Sequence, residues 1–307
     1  MNWPSALIIC TMNRPREIAM ILESVVSLED RPQLLVVVDA SSTAESAAAV
    51  DRITRTAGLD IVYLTTTPGL PHQRNLGIEF VLTRLEVPAL IHFLDDDVEP
   101  MPGYFRQIEA VFNKESDAVC VGGRDIAREI KPVPLATRLI GTNSYREGRI
   151  LRTAWNTHCS SPDKVLRVDW LSGFSQTFRT DKLGEIRFDE GIRFYGEDVD
   201  MHVRCSTVGS LYWTPFAQVR HFNSPVNRAN EDEVMMWTDG AKWMLCRNHP
   251  DRFSWFLFLL ATLMHMLMKA ISGVVHGDSA DIRTARGHVR FLVRLISRKP
   301  LRQPVVS

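Results

Sequence analysis

The sequence predicts an α/β fold: a mostly parallel sheet flanked by helices, followed by a C-terminal helical region. Short, uninterrupted apolar runs alternate with helix-patterned stretches up to about residue 125. This is the pattern of βαβ units whose strands are buried on both faces. Polar clusters follow the ends of those runs: Thr11-Met12-Asn13-Arg14, then Asp39, then Asp95-Asp96-Asp97. Parallel sheets bind ligands beyond the carboxyl ends of their strands, so these clusters share one rim. The charge-free run from Phe253 to Met268 sets the C-terminal part aside.

Ala6 to Cys10 is the first strand. Pro15 opens a helix to residue 28, where its missing N–H is harmless. Leu34 to Val38 is the second strand and ends at Asp39. Residues 43–57 are Ala-rich and helical, closed by Gly58, the residue type favoured just past a helix. Ile61 to Leu64 is the third strand, residues 72–85 a helix, and Ala89 to Leu94 the fourth strand. Pro102 starts a helix to about Asn113, and Ala118 to Val121 is the fifth strand. Residues 125–165, with Pro132, Pro134, Asn143 and Gly148, read as loops. Order returns at Val168 to Gly173. A helix is expected from Glu197 to Thr207, ended by Gly209, and Leu211 to Trp213 reads as a last short strand.

Composition narrows the function. A chain of 307 residues, 45% hydrophobic and 23% charged, is one large domain or two modest ones and not a disordered polymer. Lys plus Arg and Asp plus Glu are each 36, and a neutral chain argues against a nucleic-acid partner. The five cysteines form no C-x-x-C pair, so neither a disulfide framework nor a zinc cluster is expected. A reducing cytosol fits. The start Met1 to Ser5 lacks signal-peptide features, which places the beginning of the chain on the cytosolic side.

The Asp triplet is the sharpest chemical element. In extended backbone Asp95 and Asp97 point to one side. Their hard oxygens suit Mg²⁺ or Mn²⁺ shared with phosphate, the plainer alternative being a solvated loop. Arg74 and Asn75 open a helix whose N-terminus can hold a diphosphate, or is only a surface helix start. Asp39 can accept from a base N–H or cap a helix. In the second acidic cluster, Gly196-Glu197-Asp198-Val199-Asp200, a carboxylate can act as general base towards a hydroxyl, or simply suit a helix's first turn. His221 becomes a metal-ligand candidate only if the preceding strand returns to the rim. The nine histidines show no H-E-x-x-H spacing, so a zinc hydrolase gains no support.

Taken in order from Ala6 to Pro225, these segments resemble glycosyltransferase family 2, inverting nucleotide-sugar enzymes with the GT-A fold. Ala6 to Pro15 looks like the family's opening strand and T-x-N-R-P turn. Val36 to Ser42 looks like its D-x-S segment, Arg74 to Gly77 its R-N-x-G and Leu94 to Asp97 its D-x-D. Trp170 to Gly173 and Gly196 to Asp200, with Arg204 and Gly209, look like its acceptor segment and E-D motif. The resemblance implies that Thr11, Asn13, Arg14, Asp39, Arg74, Asp95 and Asp96 bind the nucleotide sugar. Thr11 and Asp39 would contact the base, Arg74 the base or diphosphate, and Asp95 or Asp96 the ribose. It further implies that Asp97, with His221 in some relatives, binds Mn²⁺ or Mg²⁺. Asp198 would be the base, Glu197 would position the acceptor, and Trp170 would line the acceptor site. UDP- or dTDP-sugars stand ahead of GDP-sugars as donors, and the acceptor would be a glycan or a lipid-linked glycan. Met12 departs from the aromatic residue often found there, and Ala40 from a frequent second Asp.

Two rivals are distinguishable. A sugar nucleotidyltransferase needs a Gly-rich loop where Thr11 to Pro15 stands, and an inactive glycan-binding scaffold would not need the Asp triplet and Asp198 intact. No G-x-S-x-G elbow is present. The expected organisation is a glycosyltransferase domain over 1–228, with a nucleotide-sugar half (1–125) and an acceptor half (126–228), then a helical region over 229–307.

A membrane-spanning helix needs about 20 apolar residues. Phe253 to Val275 qualifies only if His265 and Lys269 are tolerated, and a single span from a cytosolic start would carry the Arg-rich tail outside. The expected arrangement is peripheral: apolar helices lie on the cytosolic leaflet, and Arg283, Arg286, Arg290 and Arg294, on one helical face, meet anionic headgroups. A span and a buried core or dimer helix are the alternatives.

Overall fold

The structure, a computed structural model, describes residues 3–57, 60–129, 132–192, 195–226 and 229–300. Gly58, expected to close the second helix, and Arg302 of the basic tail lie outside the described residues. The chain runs β1 (Ser5–Thr11), α1 (Pro15–Val26), β2 (Leu34–Asp39), α2 (Glu45–Ala57), β3 (Ile61–Thr65), α3 (Leu70–Leu82), β4 (Leu90–Asp95), β5 (Val98–Pro100), α4 (Tyr104–Lys114) and β6 (Ala118–Asp125). The irregular stretch holds one short helix, α5 (Leu135–Leu139). Then come β7 (Leu166–Val168), β8 (Ser175–Arg179), α6 (Thr180–Leu183), α7 (Glu197–Cys205) and β9 (Ser210–His221). Three long helices finish the fold: α8 (Glu231–Asn248), α9 (Trp255–His276) and α10 (Ser279–Ile296).

The nine strands form one sheet in the order β3-β2-β1-β4-β8-β6-β9-β5, with β7 beside β9. Alternate residues of a strand face opposite sides, and both sides are covered. Leu7, Ile9, Leu35 and Val37 enter one core with Ile18 and Ile21 of α1 and Ile108 of α4. Ala6, Ile8, Val36 and Val38 enter the other with Ile78 and Val81 of α3 and Met201 of α7. Burial on both faces is why these runs show no polar alternation. The strands β1 to β4 pair in parallel, and the register sets Thr11 opposite Asp39 and Cys10 opposite Asp95. The expected polar rim is therefore formed by neighbouring strand ends.

Beyond β4 the sheet is mixed. The strand β8 runs antiparallel between β4 and β6, whereas β6 and β9 are parallel. Its residues Ser175, Gln176 and Thr177 are fully buried yet polar, so no apolar run marks it. The short strand expected at Leu211 to Trp213 is in fact the start of a strand reaching His221. Pro215 interrupts the apolar pattern, and from Phe216 onward exposed and buried residues alternate, as on a half-solvated strand. That extension pairs β9 with β5 and sets His221 opposite Val98. Asp95 ends β4, and Asp96 and Asp97 form a tight turn into β5, not extended backbone as expected.

The C-terminal helices pack on one another and on the α/β part. Phe258 and Phe291 meet edge to face with centroids 5.8 Å apart, in a core that also takes Ala154 and Val203. Buried polar groups join them: His288 lies 2.5 Å from Asp239 and 2.9 Å from His265. The expected outward row of arginines is only partly so. Arg283 and Arg290 pair with Glu231 and Asp232 of α8, and Arg294 lies over the Trp237 ring. The helix α9 remains long and apolar enough to cross a membrane, yet only 28% of its most apolar window is buried.

Close backbone packing at the entry to β9 gives a stability test. A Cβ on Gly209 would sit 2.6 Å from the Asp117 carbonyl oxygen and 2.9 Å from Val119 Cβ, neither of which can swing away. Gly209→Ala should lower unfolding free energy by about 1–3 kcal/mol, read by chemical denaturation.

Candidate active site

The cleft lies at the carboxyl ends of β1 and β4, has a volume of about 470 Å³, and is lined by Thr11, Arg14, Arg74, the Asp triplet, Glu197, Asp198 and His221, among others. That is within the usual range for small-molecule sites. Trp170 lines a separate, adjoining cavity. Asp39 and Asn13 stand outside the lining: Asp39 accepts from the Ser41 N–H and from the Tyr63 hydroxyl, and Asn13 accepts from the Ser42 N–H.

The three aspartates of the turn do different things. Asp96 turns back into the protein, where Thr11 Oγ1 donates to it at 2.7 Å and Arg14 Nη1 at 2.7 Å. Burial still lifts its carboxyl to about 6 against those partners. Asp95, Asp97 and His221 offer ligand atoms within 4.8 Å of one another. Among the described residues no other group of this kind converges. Asp97 lies 3.1 Å from His221 Nε2 and accepts from the Ser224 N–H at 2.8 Å. Burial would raise Asp97, but His221 and that N–H hold it down at about 2. Burial would lower His221, but the Asp97 carboxylate raises it above the usual imidazole value. Two hard carboxylates and one imidazole are a donor set that fits Mn²⁺ and admits Mg²⁺. The triad answers the condition set for His221, because β9 does return to the rim.

The opposite wall is built on Arg74, only 2% exposed at the start of α3. Its guanidinium donates to Glu197 Oε1 at 3.0 Å, to Asp95 Oδ1 at 3.4 Å and to the Gly173 carbonyl at 3.3 Å. Burial opposes its charge, but Glu197 and Asp95 keep it protonated. Glu197 is therefore turned towards Arg74, with its Oε2 buried and unpartnered. In this geometry Glu197 supports Arg74 and also lines the cleft, where the sequence expects it to position the acceptor. Asp198 accepts from the Gly173 N–H at 3.0 Å and from the Val199 N–H at 2.8 Å. Burial first, and Glu197 second, raise its carboxyl to about 7, outweighing Arg74. A carboxyl poised there can take a proton near neutral pH. Cys10 also lines the cleft, but burial lifts its thiol to about 12, so it is no nucleophile.

Several supporting residues carry no mark in the sequence. Gln73 is buried and donates from Nε2 to the Thr11 and Val38 carbonyls, tying two strand ends together. Ser224 donates its N–H to Asp97 and its hydroxyl to Glu17. Only the run Arg220 to Pro225, with its turn-forming Asn-Ser-Pro, could have pointed to Ser224.

A mostly parallel α/β sheet with two carboxylates and an imidazole on its rim that could hold a metal is the GT-A arrangement. The glycosyl transferase family 2 profile matches residues 6–173, and the chain belongs to that family. No curated protein matches in sequence. Among solved structures, the mannosyltransferase PcManGT from Pyrobaculum calidifontis, in complex with GDP-Man and Mn²⁺, is similar with a TM-score of 0.64 at 12% identity, over 98% of this chain and 89% of that one. GalNAc-T7 with UDP, GalNAc and Mn²⁺ is similar with a TM-score of 0.57 at 14% identity, over 97% of this chain and 59% of that one. At these identities the likeness is one of fold.

The Arg74–Glu197 contact predicts a pH-dependent stability loss. Arg74→Met leaves Glu197 buried without its cation, which costs about 3–5 kcal/mol when one partner of a buried pair is removed. Arg74 lowers the Glu197 carboxyl, so without it that carboxyl stays protonated to higher pH in the folded chain. The variant's deficit, measured by denaturation, should therefore be larger at pH 8 than at pH 5.

Proposed function

We propose that this chain is an inverting glycosyltransferase that moves a sugar from a nucleotide diphosphate sugar to a hydroxyl of a glycan or lipid-linked acceptor. The observation that carries the reading is one cleft lined both by Asp95, Asp97 and His221 and by Asp198. A divalent cation held by Asp97 and His221, with Asp95 beside them, would supply positive charge to the leaving diphosphate. Arg74 adds its own charge on that side. Thr11 and Asp39 serve the base end of the nucleotide, Asn13 and Arg14 belong to the turn that binds it, and Asp95 or Asp96 serves the ribose, Asp96 acting through Thr11 and Arg14. Asp198 takes the proton of the acceptor hydroxyl. The acceptor oxygen bonds to the anomeric carbon while the bond from that carbon to the diphosphate oxygen breaks. The electron pair leaves with the nucleoside diphosphate. One displacement inverts the centre and needs no enzyme nucleophile.

The two solved relatives were captured with a GDP-sugar and with UDP, so the donor test spans UDP-, dTDP- and GDP-sugars, with UDP- or dTDP-sugars expected. Release of one nucleotide should need Mn²⁺ or Mg²⁺ and stop with chelator. Asp97→Ala should lower it about 10²–10³-fold, and Asp198→Asn should lower transfer about 10²–10⁴-fold. Transfer by the wild type should rise with pH and level off at or above about 7, with the midpoint below that value when a nearby cation favours the carboxylate. Metal-independent release that survives Asp97→Ala defeats the reading.

We further propose that residues 229–307 attach the catalytic part to the cytosolic face of a membrane. The support is an apolar stripe at helical spacing on α9: Phe256, Leu260, Leu263, Leu267, Ile271 and Val274 are all exposed. Val289, Val293 and Ile296 extend it onto α10. Each inserted side chain contributes about 1.5–3 kcal/mol. Leu267→Glu with Ile271→Glu should thus abolish sedimentation with vesicles of mixed phosphatidylglycerol and phosphatidylcholine, without changing thermal unfolding. Undiminished sedimentation overturns the attachment.

A further inference from the structure

The small cavity beside the cleft has a charge of its own. It shares Ser172 and Phe174 with the cleft and is also lined by Arg124, Arg128, His158 and Trp170. Its volume is about 50 Å³. At about 10–15 Å³ of such volume per water, the cavity has room for a group of a few heavy atoms such as a phosphate.

Its polar groups are unequal in charge. Arg128 Nη1 lies 2.9 Å from His158 Nδ1. Burial, with the Arg128 charge added, pushes His158 down to about 3, so the ring is neutral and Nδ1 accepts. Arg128 is thus hydrogen-bonded to an uncharged partner, and burial lowers its own pKa. Arg124 makes no ion pair among the described residues. The one acid in the lining is Asp125, whose Oδ1 accepts from the N–H groups of His221 and Ala127 and whose charge acts on Arg128. His158 is fixed by its edge contact with Trp170, at 4.9 Å between centroids, and Trp170 by its N–H to the Thr157 carbonyl. The lining therefore carries two cations against one acid, with the His158 partner of Arg128 set edge-on against Trp170. The neighbouring cleft, with Asp95, Asp97, Glu197 and Asp198, would repel an anion arriving without a metal.

We propose that this cavity seats a phosphate group carried by the acceptor, held by Arg124 and Arg128 while the acceptor hydroxyl reaches past Ser172 and Phe174 to Asp198. The inference rests on the transferase reading above and adds the acceptor's chemical class. Arg and phosphate pair through charge-assisted, often bidentate hydrogen bonds. The phosphate can belong to a lipid or to a soluble sugar phosphate.

The test uses the full chain, saturated with Mn²⁺ and whichever of UDP, dTDP or GDP it binds, so that the diphosphate side is filled. It is then titrated calorimetrically with farnesyl phosphate, farnesol and glucose 1-phosphate. Farnesyl phosphate should bind about tenfold or more tightly than farnesol. Arg124→Gln and Arg128→Gln should each weaken it by about tenfold, with nucleotide affinity unchanged to show that the variants are folded. Arginine-dependent binding of glucose 1-phosphate as tight as that of farnesyl phosphate supports the site and makes its source a soluble phosphate. Equal binding of farnesyl phosphate and farnesol, or phosphate binding indifferent to both arginines, overturns the proposal. Intact nucleotide binding with no phosphate binding overturns this inference alone. Absence of metal-dependent nucleotide binding in the wild type overturns the donor reading with it.

Discussion

The site is organised around one buried cation. Arg74 enters from the second turn of α3 and holds Glu197 of α7, Asp95 of β4 and the Gly173 carbonyl before β8. Those three groups are distant in sequence and belong to both halves of the sheet. A guanidinium has five donors in a fixed plane, so it can satisfy several acceptors at once where a lysine could not. Its flat faces are covered too, with Phe188 at 5.2 Å and Phe93 at 6.0 Å from ring centroid to Cζ. Gly173 is without a side chain for the same reason: a Cβ there would come within 3.1 Å of Arg74 Nη2. The same residue gives its N–H to Asp198. One short segment thus aligns the cation and the proton acceptor together.

The α/β core was legible in the sequence because burial on both faces removes polar residues from strands, and β1, β2 and β4 are runs of that kind. The rim followed, since Thr11, Asp39 and Asp95 end those strands. What was not legible depends on polar residues buried by pairing. The strand β8 reads Ser-Gln-Thr-Phe-Arg, and its place in the sheet centre rests on contacts such as Thr177 with His92, at 2.8 Å, which no local pattern encodes. The far half of β9 was hidden by Pro215, so His221 stood as a lone histidine until its strand pairing with β5 was known. Glu197 and Asp198 are adjacent in sequence and look equivalent. Only the tertiary position of Arg74 separates them.

The C-terminal helices also support the site. Gly196, which precedes α7, has φ of +112°, and a Cβ on it would meet Ala241 of α8 at 2.6 Å. The α8 helix therefore presses directly on the turn that launches Glu197 and Asp198. Beneath it, Lys242 lies 3.6 Å from the Trp155 ring centroid, and Asp239, His288 and His265 form a buried chain across α8, α10 and α9. Buried polar chains fix relative helix positions more sharply than apolar contacts, which tolerate sliding. The exposed apolar stripe and Asp198 are thus joined through the three packed helices. On the attachment reading, the catalytic helix is positioned relative to the membrane surface, where a lipid-linked acceptor would present its head.

The two aspartates proposed to hold the cation and to take the proton show how environment can fit one residue type to two tasks. Asp97 is buried, but an imidazole and a backbone N–H stabilise its charged form, and its carboxyl sits near 2. Asp198 also receives two backbone N–H groups, yet its anionic neighbour Glu197 and its burial carry it to about 7. The difference lies not in the number of hydrogen bonds but in whether the nearest charge offsets burial, as His221 does at Asp97, or adds to it, as Glu197 does at Asp198. A carboxylate that stays ionised at every working pH is suited to hold a cation. One that ionises near neutrality is suited to accept a proton in a transition state. Exchanging those environments would leave both residues present and neither suited to its task, so the positions of His221 and Glu197 matter as much to the chemistry as the aspartates themselves.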